Sequence, residues 1–372
     1  MRSKRGELLN GLPMPEFETT QQIVQAARKN LSQPAWDYLV GASESETTMR
    51  RNRLALDKWG FIPRVLVDVS KIDTSTTLLG HKLRSPVILA PIGSMQHLSP
   101  DGATGFAKAA AQYGTIMSMS IMTPPSLEEV AAAADGPKIF QLYMQGDLDW
   151  ARDVLARVRD AGYDAVCLTV DTPYHSRRDR SILNPLPGRR PGTRAHAGPN
   201  YLASVTWETL DRLRELAGLP FILKGVMSPL DAAKAVEHGV DAVWVSNHGG
   251  RQLDQAVGTM DVLPRIVEAV SGRAEVIFDG GVLRGTDVVK ALALGAAAVG
   301  IGKLQGWGMA AGGVEGLVRT LELLEDETRM AMALLGVTCV DQLDASYVEK
   351  SDPVMMPHEM SAWPNLPGER LL

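Results

Sequence analysis

One short segment, VSNHGGRQLD (residues 245–254), contains the side chains of a candidate acid–base site. The ordinary pKa of a histidine lies near neutrality, so His248 can accept a proton as a general base. Arg251 follows three residues later, and its planar fork of N–H donors suits a carboxylate. Gly249 and Gly250 allow a tight backbone path between them. A nearby arginine should also lower the pKa of the histidine, which would keep it neutral and basic.

Polar side chains also follow several other short apolar runs of the chain. Each one alone has a simple structural explanation: Tyr143 could be a core residue with a satisfied hydroxyl, and Asp279 a helix cap. Their concentration at these points instead favours a shared site, in which Asp171 could stabilise a protonated His248. The residues at these ends are Gln141, Tyr143, Thr169, Asp171, Lys224, Ser246, Asn247, His248, Asp279 and Lys303.

A second segment, residues 277–303, is rich in glycine and indicates phosphate binding. Backbone N–H groups near Gly280, Gly281 and Gly302 could contact a phosphate, and Arg284 and Lys303 could add positive charge. Glycines after a strand are a weak motif by themselves, so this interpretation depends on the fold that surrounds them.

A repeated pattern predicts that fold. Helix-like stretches end at Gly114, Gly162, Gly239 and Gly295, and a short apolar run follows each glycine. Glycine adopts the left-handed conformation that commonly ends a helix, and a run that is apolar on both faces is typical of a buried parallel strand. Four more apolar runs lie at residues 86–91, 138–144, 220–225 and 275–281.

Eight buried strands with intervening helices predict a (β/α)8 barrel, in which the carboxyl ends of the strands form the catalytic face. An open doubly wound sheet is the alternative. It generally has fewer strands, and no G-x-G-x-x-G motif follows the first strand.

The segments around the barrel also carry predictions. The long loop between Asp171 and Trp207 is rich in Pro, Gly and Arg, which indicates a lid over the catalytic face. We expect one domain and a hairpin that turns at Gly80–His81 and caps one barrel mouth. The predicted segments are a helical region at 16–58 within an N-terminal extension (1–75), the barrel (84–345), helices at about 313–336 and 338–345, and a tail (346–372) that extends over the surface or a neighbour from Ser351.

Composition and charge exclude several other classes of protein. The net charge of −5 gives no reason to expect nucleic acid or an anionic membrane as partner. Cys167 and Cys339 are the only cysteines and neither has a neighbour at metal-ligand spacing, so we expect no metal site and no disulfide. The N-terminus lacks the apolar core of a signal peptide, and no run is long enough to span a membrane. These features predict a cytoplasmic protein.

The sequence from about residue 18 to 345 resembles the FMN-dependent 2-hydroxy acid oxidase/dehydrogenase family, which includes glycolate oxidase, lactate oxidase, mandelate dehydrogenase and flavocytochrome b2. SNHGGRQLD and DGGVLRGTDVVKALALGA are the specific motifs. Supporting matches are DYLVGAS (37–43), LAPIG (89–93), GTIMSMS (114–120), FQLYM (140–144), LTVDTP (168–173) and ILKGV (222–226).

The resemblance implies oxidation of a small (S)-2-hydroxy acid to the 2-oxo acid, with FMN as cofactor. His248 would accept a substrate proton, supported by Asp171. The substrate carboxylate and hydroxyl would be held by Arg178, Arg251, Tyr38 and Tyr143, with Met122 by the substrate side chain. The residues implied to contact FMN are Gly93, Ser120, Gln141, Thr169, Lys224, Ser246, Asp279, Gly280, Gly281, Arg284, Gly302 and Lys303.

Four positions depart from the family pattern. Leu283 and Lys303 stand where relatives usually carry phosphate-binding arginines, so we expect weaker retention of FMN unless Arg284 compensates. Met122 replaces a residue that is often aromatic, and Gly93 stands where oxidases commonly have alanine and mandelate dehydrogenases glycine. The flexible thioether of Met122 predicts a substrate side chain unlike the commonest ones, and Gly93 predicts room for a larger substrate and an altered reactivity with oxygen.

The electron acceptor is left open by the sequence. We expect oxygen, which would give hydrogen peroxide. The alternative is a soluble dehydrogenase that passes electrons to a quinone or protein carrier, because the loop after the fourth strand lacks the apolar segment of membrane-bound relatives. A non-catalytic flavin-binding barrel is a further alternative, although it would not need the complete set of His248, Asp171, Arg178 and Arg251. The resemblance also implies a homotetramer.

Overall fold

The N-terminal region folds as helices that pack beside the barrel. The computed structural model describes residues 17–188, 200–354 and 362. The first helix starts at a capping box, in which the side chains of Thr19 and Gln22 each accept a hydrogen bond from the other residue's backbone N–H. The described part of the predicted helical region is thus confirmed. Its elements are α1 (Thr20–Asn30), α2 (Gln33–Val40), α3 (Thr47–Asp57) and the short strand β1 (Trp59–Phe61).

A hairpin precedes the barrel, as predicted. Its strands are β2 (Thr76–Leu78) and β3 (His81–Leu83). The turn lies at Leu79–Gly80, one residue before the predicted position, and both residues have positive φ angles (49° and 78°). Such a two-residue turn matches the twist of a hairpin, but leucine gives little indication of it in a sequence.

Eight parallel strands form a closed barrel, which confirms the predicted (β/α)8 fold. Neighbours in the chain pair with one another, and the last strand pairs with the first of the eight through Val299↔Val87 and Gly300↔Ile88. The strands are β4 (Val87–Leu89), β5 (Met117–Ser120), β6 (Lys138–Leu142), β7 (Ala165–Thr169), β8 (Phe221–Val226), β9 (Ala242–Val245), β10 (Glu275–Phe278) and β11 (Ala298–Ile301).

Helices on the outside of the barrel connect these strands. The four glycines predicted to end helices all have positive φ angles, between 73° and 96°, so the helix–glycine–strand pattern is confirmed. The helices are α4 (Gly102–Tyr113), α5 (Leu127–Ala132), α6 (Leu148–Asp160), α7 (Asp179–Leu183), α8 (Trp207–Ala217), α9 (Pro229–Glu237), α10 (Thr259–Val270), α11 (Gly285–Ala293) and α12 (Lys303–Leu335).

The C-terminal region differs from the prediction in one segment. The helix α12 covers the predicted stretch 313–336 up to Leu335, but it starts at Lys303 and is interrupted by non-helical backbone at Gly312 and Gly313. The predicted helix at 338–345 is wrong. Two 3-10 turns occupy this part of the chain, because Leu343 and Asp344 are extended and the Asp344 side chain accepts from Ser346 to start a new turn.

The chain then forms β12 (Val348–Lys350), which pairs antiparallel with β1. Most of the predicted surface tail, the centre of the predicted lid (189–199) and the N-terminus up to residue 16 lie outside the described residues. Among the helices that the structure describes, none is long and apolar enough to cross a membrane.

The hairpin β2–β3 closes the amino-terminal mouth of the barrel, which confirms the predicted cap. Leu78 and Leu83 are fully buried and pack with residues near the amino ends of the barrel strands, such as Ile139 and Ile222. The Glu275 side chain at the start of β10 accepts a hydrogen bond from the Leu79 N–H at 2.8 Å. This mouth is therefore filled, and the opposite mouth is left for a binding site.

Candidate active site

The carboxyl ends of the barrel strands open into a cavity with a volume of about 500 Å³. Most of the predicted site residues line it. The others, apart from Arg284, bond to a lining residue or lie beside one on a neighbouring strand. The predicted residues in the lining are Tyr38, Gly93, Ser120, Met122, Tyr143, Arg178, Lys224, His248, Arg251, Asp279, Gly280, Gly281, Gly302 and Lys303.

The predicted base and its carboxylate partner form a hydrogen-bonded pair. Nδ1 of His248 lies 3.1 Å from Oδ1 of Asp171. An ionised carboxylate can only accept, so Nδ1 carries the proton and the lone pair is on Nε2. His248 follows β9 and Asp171 follows β7, so the barrel brings together two residues that are distant in sequence.

The pKa values of this pair favour a neutral base at neutral pH. Burial lowers the pKa of His248 below its ordinary value of 6.5, and Lys224 and Arg178 lower it further, whereas Asp171 raises it. Burial alone would raise the pKa of Asp171, but the adjacent His248 and the charge of Lys224 hold it below its ordinary value. The prediction of a lowered histidine pKa is confirmed, but burial is its main cause. The sequence analysis named Arg251 instead.

Two guanidinium groups line the cavity close to this pair. Arg251 donates from Nη1 to the carbonyl oxygens of Tyr38 and Gly41, both at 2.6 Å, and its guanidinium lies 4.9 Å from the centre of the Tyr38 ring. Arg178 donates from Nε to the Arg251 carbonyl and from Nη2 to Oε1 of Gln252, at 3.0 and 2.7 Å. These bonds fix both side chains in one region of the cavity wall, where a substrate carboxylate could bind both.

A buried ammonium group lies on the same cavity wall. Nζ of Lys224 contacts Oγ of Ser246 at 2.7 Å and Oδ2 of Asp279 at 2.9 Å, and Ser246 donates to Oδ1 of Asp279 at 2.6 Å. Burial would lower the pKa of Lys224, but Asp279 and Asp171 outweigh it and raise the pKa above its ordinary value. The lysine is therefore charged and can stabilise negative charge on a bound group.

Two buried donors next to this network have no hydrogen-bond partner among the described residues. They are Nε2 of Gln141 and Oγ1 of Thr169. Gln141 accepts from Oγ of Ser120 at 2.7 Å, which leaves its amide NH₂ unsatisfied, and Thr169 lies beside the lining residue Lys224 of the adjacent strand β8. Because unsatisfied buried donors cost free energy, these two fit the polar edge of a flavin ring.

The part of the cavity near the last two strands suits a phosphate. Gly280, Gly281, Gly302 and Lys303 line it, and a side chain placed on Gly302 would have no heavy atom within 4 Å. Lys303 is the first residue of α12, so the N–H groups of a helix start face this region. Together with the unsatisfied donors, this arrangement fits FMN.

The structure places Arg284 elsewhere, and it does not support the predicted contact with a phosphate. Nε of Arg284 lies 2.9 Å from Oε1 of Glu327 on α12, and Nη1 donates to the carbonyl of Ala362. Glu327 thus draws the side chain away from the cavity.

Asn52 and Arg53, which were not predicted from the sequence, line the cavity from α3. Nη1 of Arg53 donates to the carbonyl oxygen of Gly281 at 2.6 Å and to Oδ2 of Asp287 at 2.7 Å. Its Nε is buried and finds no partner among the described residues. Arg53 therefore supplies a guanidinium group close to Leu283, whose N–H donates to the same Asp287 oxygen and where the family resemblance implied an arginine. The RRNR run at 50–53 was the available indication.

The end of the VSNHGGRQLD segment holds α3 in this position. Asp254 accepts hydrogen bonds from the N–H groups of Ser45 and Thr48, at 3.1 and 2.7 Å. Burial would raise the pKa of Asp254, but the hydrogen bonds from the Thr48 N–H and the Ser45 hydroxyl lower it to about 2. A side chain at Gly250 would lie 2.5 Å from the backbone nitrogen of Met49, so the close approach requires glycine. One segment thus positions the base and docks the helix that carries Arg53.

Comparisons with known proteins agree with this site. A sequence model described as FMN-dependent dehydrogenase matches residues 27–350. The chain belongs to that family. It is an oxidoreductase with FMN as its cofactor, which confirms the predicted family, cofactor and enzyme class.

Curated relatives and solved structures match along most of the chain. A peroxisomal (S)-2-hydroxyacid oxidase of Arabidopsis thaliana is 38% identical over 352 residues, which cover 90% of this chain and 97% of the relative. An L-lactate oxidase of Nostoc sp. is 41% identical over 349 residues, with 87% and 96% covered. A structure of mandelate oxidase matches with a TM-score of 0.84 at 36% identity, covering 91% of this chain and 100% of that one.

Proposed function

We propose that this enzyme oxidises a small (S)-2-hydroxy acid to the 2-oxo acid and passes the electrons to oxygen, giving hydrogen peroxide. One observation carries the proposal: the His248–Asp171 pair shares a cavity with Arg178 and Arg251. A base beside a carboxylate anchor fits a substrate in which the reacting carbon is bonded directly to a carboxylate.

Different side chains bind the substrate and accept its proton. Arg178 and Arg251 hold the carboxylate and so orient the reacting carbon, and positioning of this kind can contribute about 7–11 kcal/mol. Nε2 of His248 accepts the substrate proton, and Asp171 stabilises the imidazolium that forms. Burial and the nearby Asp171 raise the pKa of Tyr143, so its hydroxyl stays protonated and can donate to the substrate.

Other residues of the cavity would hold FMN, which supplies a two-electron acceptor when bound. Gln141 and Thr169 present the unsatisfied donors for its ring edge. The ammonium of Lys224 stabilises negative charge there, and the loops at Gly281 and Gly302 receive the phosphate. Arg53 adds positive charge to that end.

The substrate side chain would lie against an apolar part of the wall. Met122, Met144 and Leu202 line it. A methyl group on Gly93 would approach the Tyr38 hydroxyl at 3.4 Å and Cβ of Met122 at 3.5 Å, so glycine leaves that space open. We infer a substrate with an aliphatic or aryl side chain larger than the hydrogen atom of glycolate. Among the relatives, an L-lactate oxidase and a mandelate oxidase are named for such substrates and two others are named glycolate oxidases, so the inference of a larger side chain rests on the open space at Gly93.

Anaerobic reduction tests the proposal. The purified holoenzyme is mixed without oxygen with glycolate, L-lactate, longer aliphatic 2-hydroxy acids and both mandelate enantiomers. Bleaching of the flavin band at about 450 nm, a property of the cofactor, identifies the substrate. Readmitted air should restore the colour within the turnover time and release peroxide. Slow recolouring without peroxide would favour a quinone or protein acceptor, and no bleaching by any acid would favour a non-catalytic barrel.

The predicted homotetramer and cytoplasmic location remain proposals. Light scattering coupled to size-exclusion chromatography would measure the mass of the assembly against the 40.2 kDa chain. Fractionation of the source cells would test the location.

A further inference from the structure

We propose that Met122 is a modification site, at which hydrogen peroxide formed in the cavity oxidises the thioether to a sulfoxide and so limits the enzyme's own activity. The proposal rests on the proposed function, because that reaction supplies the peroxide. It goes further by assigning a covalent change to one residue and a consequence for substrate binding.

The position of Met122 exposes it to any oxidant that forms in the cavity. It follows β5 and lines the cavity together with His248 and Arg251. A methyl group on Gly93 would lie 3.5 Å from Cβ of Met122, so the Met122 side chain faces the open space at Gly93. Peroxide formed in this cavity would therefore meet the side chain before it reaches solution.

Accessibility separates Met122 from the other methionines of the cavity. Met49, Met122 and Met144 all line it. Met49 and Met144 are 4% and 5% exposed, whereas Met122 is 44% exposed. The sulfur of Met49 also contacts the ammonium group of Lys303. Since oxidation requires access to the sulfur, Met122 is the reactive methionine of this set.

A neighbouring amide would stabilise the oxidised form. Nε2 of Gln145 donates to Sδ of Met122 at 3.2 Å. A thioether sulfur is a weak acceptor, and a sulfoxide oxygen is a stronger one. The same donor would thus bind the product of oxidation more tightly than the reactant.

The chemistry needs no other reagent. The sulfur lone pair attacks one peroxide oxygen, the O–O bond breaks, that oxygen stays on sulfur, and the second leaves as water after proton transfer. Sulfur loses two electrons and the peroxide gains them. The apolar thioether becomes a polar group in the wall that we assign to the substrate side chain, so KM for apolar acids should rise. Sulfoxide reductases reverse such changes.

Turnover in air with excess catalase in solution tests the proposal. Catalase removes peroxide that escapes, so only peroxide that reacts before leaving the cavity can modify the chain. Met330, which is 63% exposed on α12 and does not line the cavity, is the internal control. Peptide mass spectrometry after many turnovers should show at least ten times more sulfoxide at Met122 than at Met330. Equal or negligible oxidation at both, with peroxide being formed, would overturn the proposal.

Two variants and a reaction with added hydrogen peroxide in place of substrate (the reagent arm) complete the experiment. Met122→Leu should lose activity over successive turnovers more slowly than wild type, each relative to its own initial rate, whereas Met330→Leu should decline like wild type. In the reagent arm, added hydrogen peroxide without substrate should oxidise Met122 and raise KM several-fold. If turnover forms no peroxide, the proposed function fails, and the reagent arm then shows separately whether Met122 is the reactive site. No oxidation of Met122 there, or oxidation of Met122 without a rise in KM, rejects the site as well.

Discussion

The two mouths of the barrel are lined by opposite kinds of side chain. At the amino-terminal mouth, Leu78 and Leu83 of the hairpin are buried among aliphatic residues. At the carboxyl-terminal mouth, His248, Lys224 and Asp279 are held by hydrogen bonds and ion pairs. Burial of charged and unsatisfied polar groups costs free energy, whereas burial of the hairpin leucines stabilises the fold. The same strands thus carry stability at one end and chemistry at the other.

The largest effect is expected from removal of the base His248, which should reduce catalysis without reducing stability. His248→Gln keeps a polar side chain but loses the proton acceptor, so kcat/KM should fall by about 10²–10⁴-fold while Tm stays nearly constant. His238→Gln is the matched control, because His238 pairs with Asp211 outside the cavity. Steady-state kinetics and the flavin spectrum check the result. A clear fall of Tm in His248→Gln, measured by thermal unfolding, would show that this end also stabilises the fold.

A substitution that removes packed side-chain atoms at the amino-terminal mouth should lower stability and leave catalysis almost unchanged. Leu83→Ala should lower the free energy of unfolding by about 2–5 kcal/mol, with little change in kcat at 25 °C. Lys82→Ala, on the exposed side of the same strand, should stay within about 0.5 kcal/mol of wild type. Urea unfolding and kinetics on the same samples measure both quantities. A fall of kcat in Leu83→Ala alone would mean that the two mouths are not independent.

Near the carboxyl-terminal mouth, Arg53 and Arg284 should differ in their effect on FMN binding. Arg53→Gln should weaken FMN binding by about ten- to a hundred-fold, since a hydrogen bond to a charged group contributes about 1.5–3 kcal/mol. Arg284→Gln should leave it unchanged, because that side chain pairs with Glu327. Titration of the apoprotein with FMN, followed by quenching of flavin fluorescence, gives both dissociation constants. Weaker FMN binding in Arg284→Gln than in Arg53→Gln would support the phosphate contact that the sequence predicted for Arg284.

The smallest expected effect is a change in pH dependence. Burial lowers the pKa of His248, so the acid limb of kcat/KM should lie below 6.5. In Asp171→Asn the limb should move to lower pH, because Asp171 is the group that raises the pKa of His248. Asp211→Asn, beside His238, should leave it unchanged. A limb that moves to higher pH in Asp171→Asn would contradict the assigned pair.

The sequence predicted elements that depend on local pattern, and most of the site followed from them. Gly114 and its equivalents marked helix ends, and once eight strands were placed, the barrel itself brought His248 and Asp171 together. The position of Leu79 in the turn was not predictable, because leucine rarely adopts a positive φ. The directions of the arginine side chains were not predictable from the sequence either. Arg284 bonds to Glu327, and Arg53 reaches the cavity only because α3 docks there.

The docking of α3 by Asp254 couples ligand binding to the stability of the N-terminal segment. Arg53 faces the cavity only while residues 45–57 are docked, so part of the binding free energy of FMN is the free energy of docking that segment. By thermodynamic linkage, a ligand that binds only the docked form stabilises it by RT ln(1 + [L]/Kd). Amide hydrogens of α3 should therefore exchange more slowly in the holoenzyme than in the apoprotein, while those of the hairpin at the far mouth exchange alike in both.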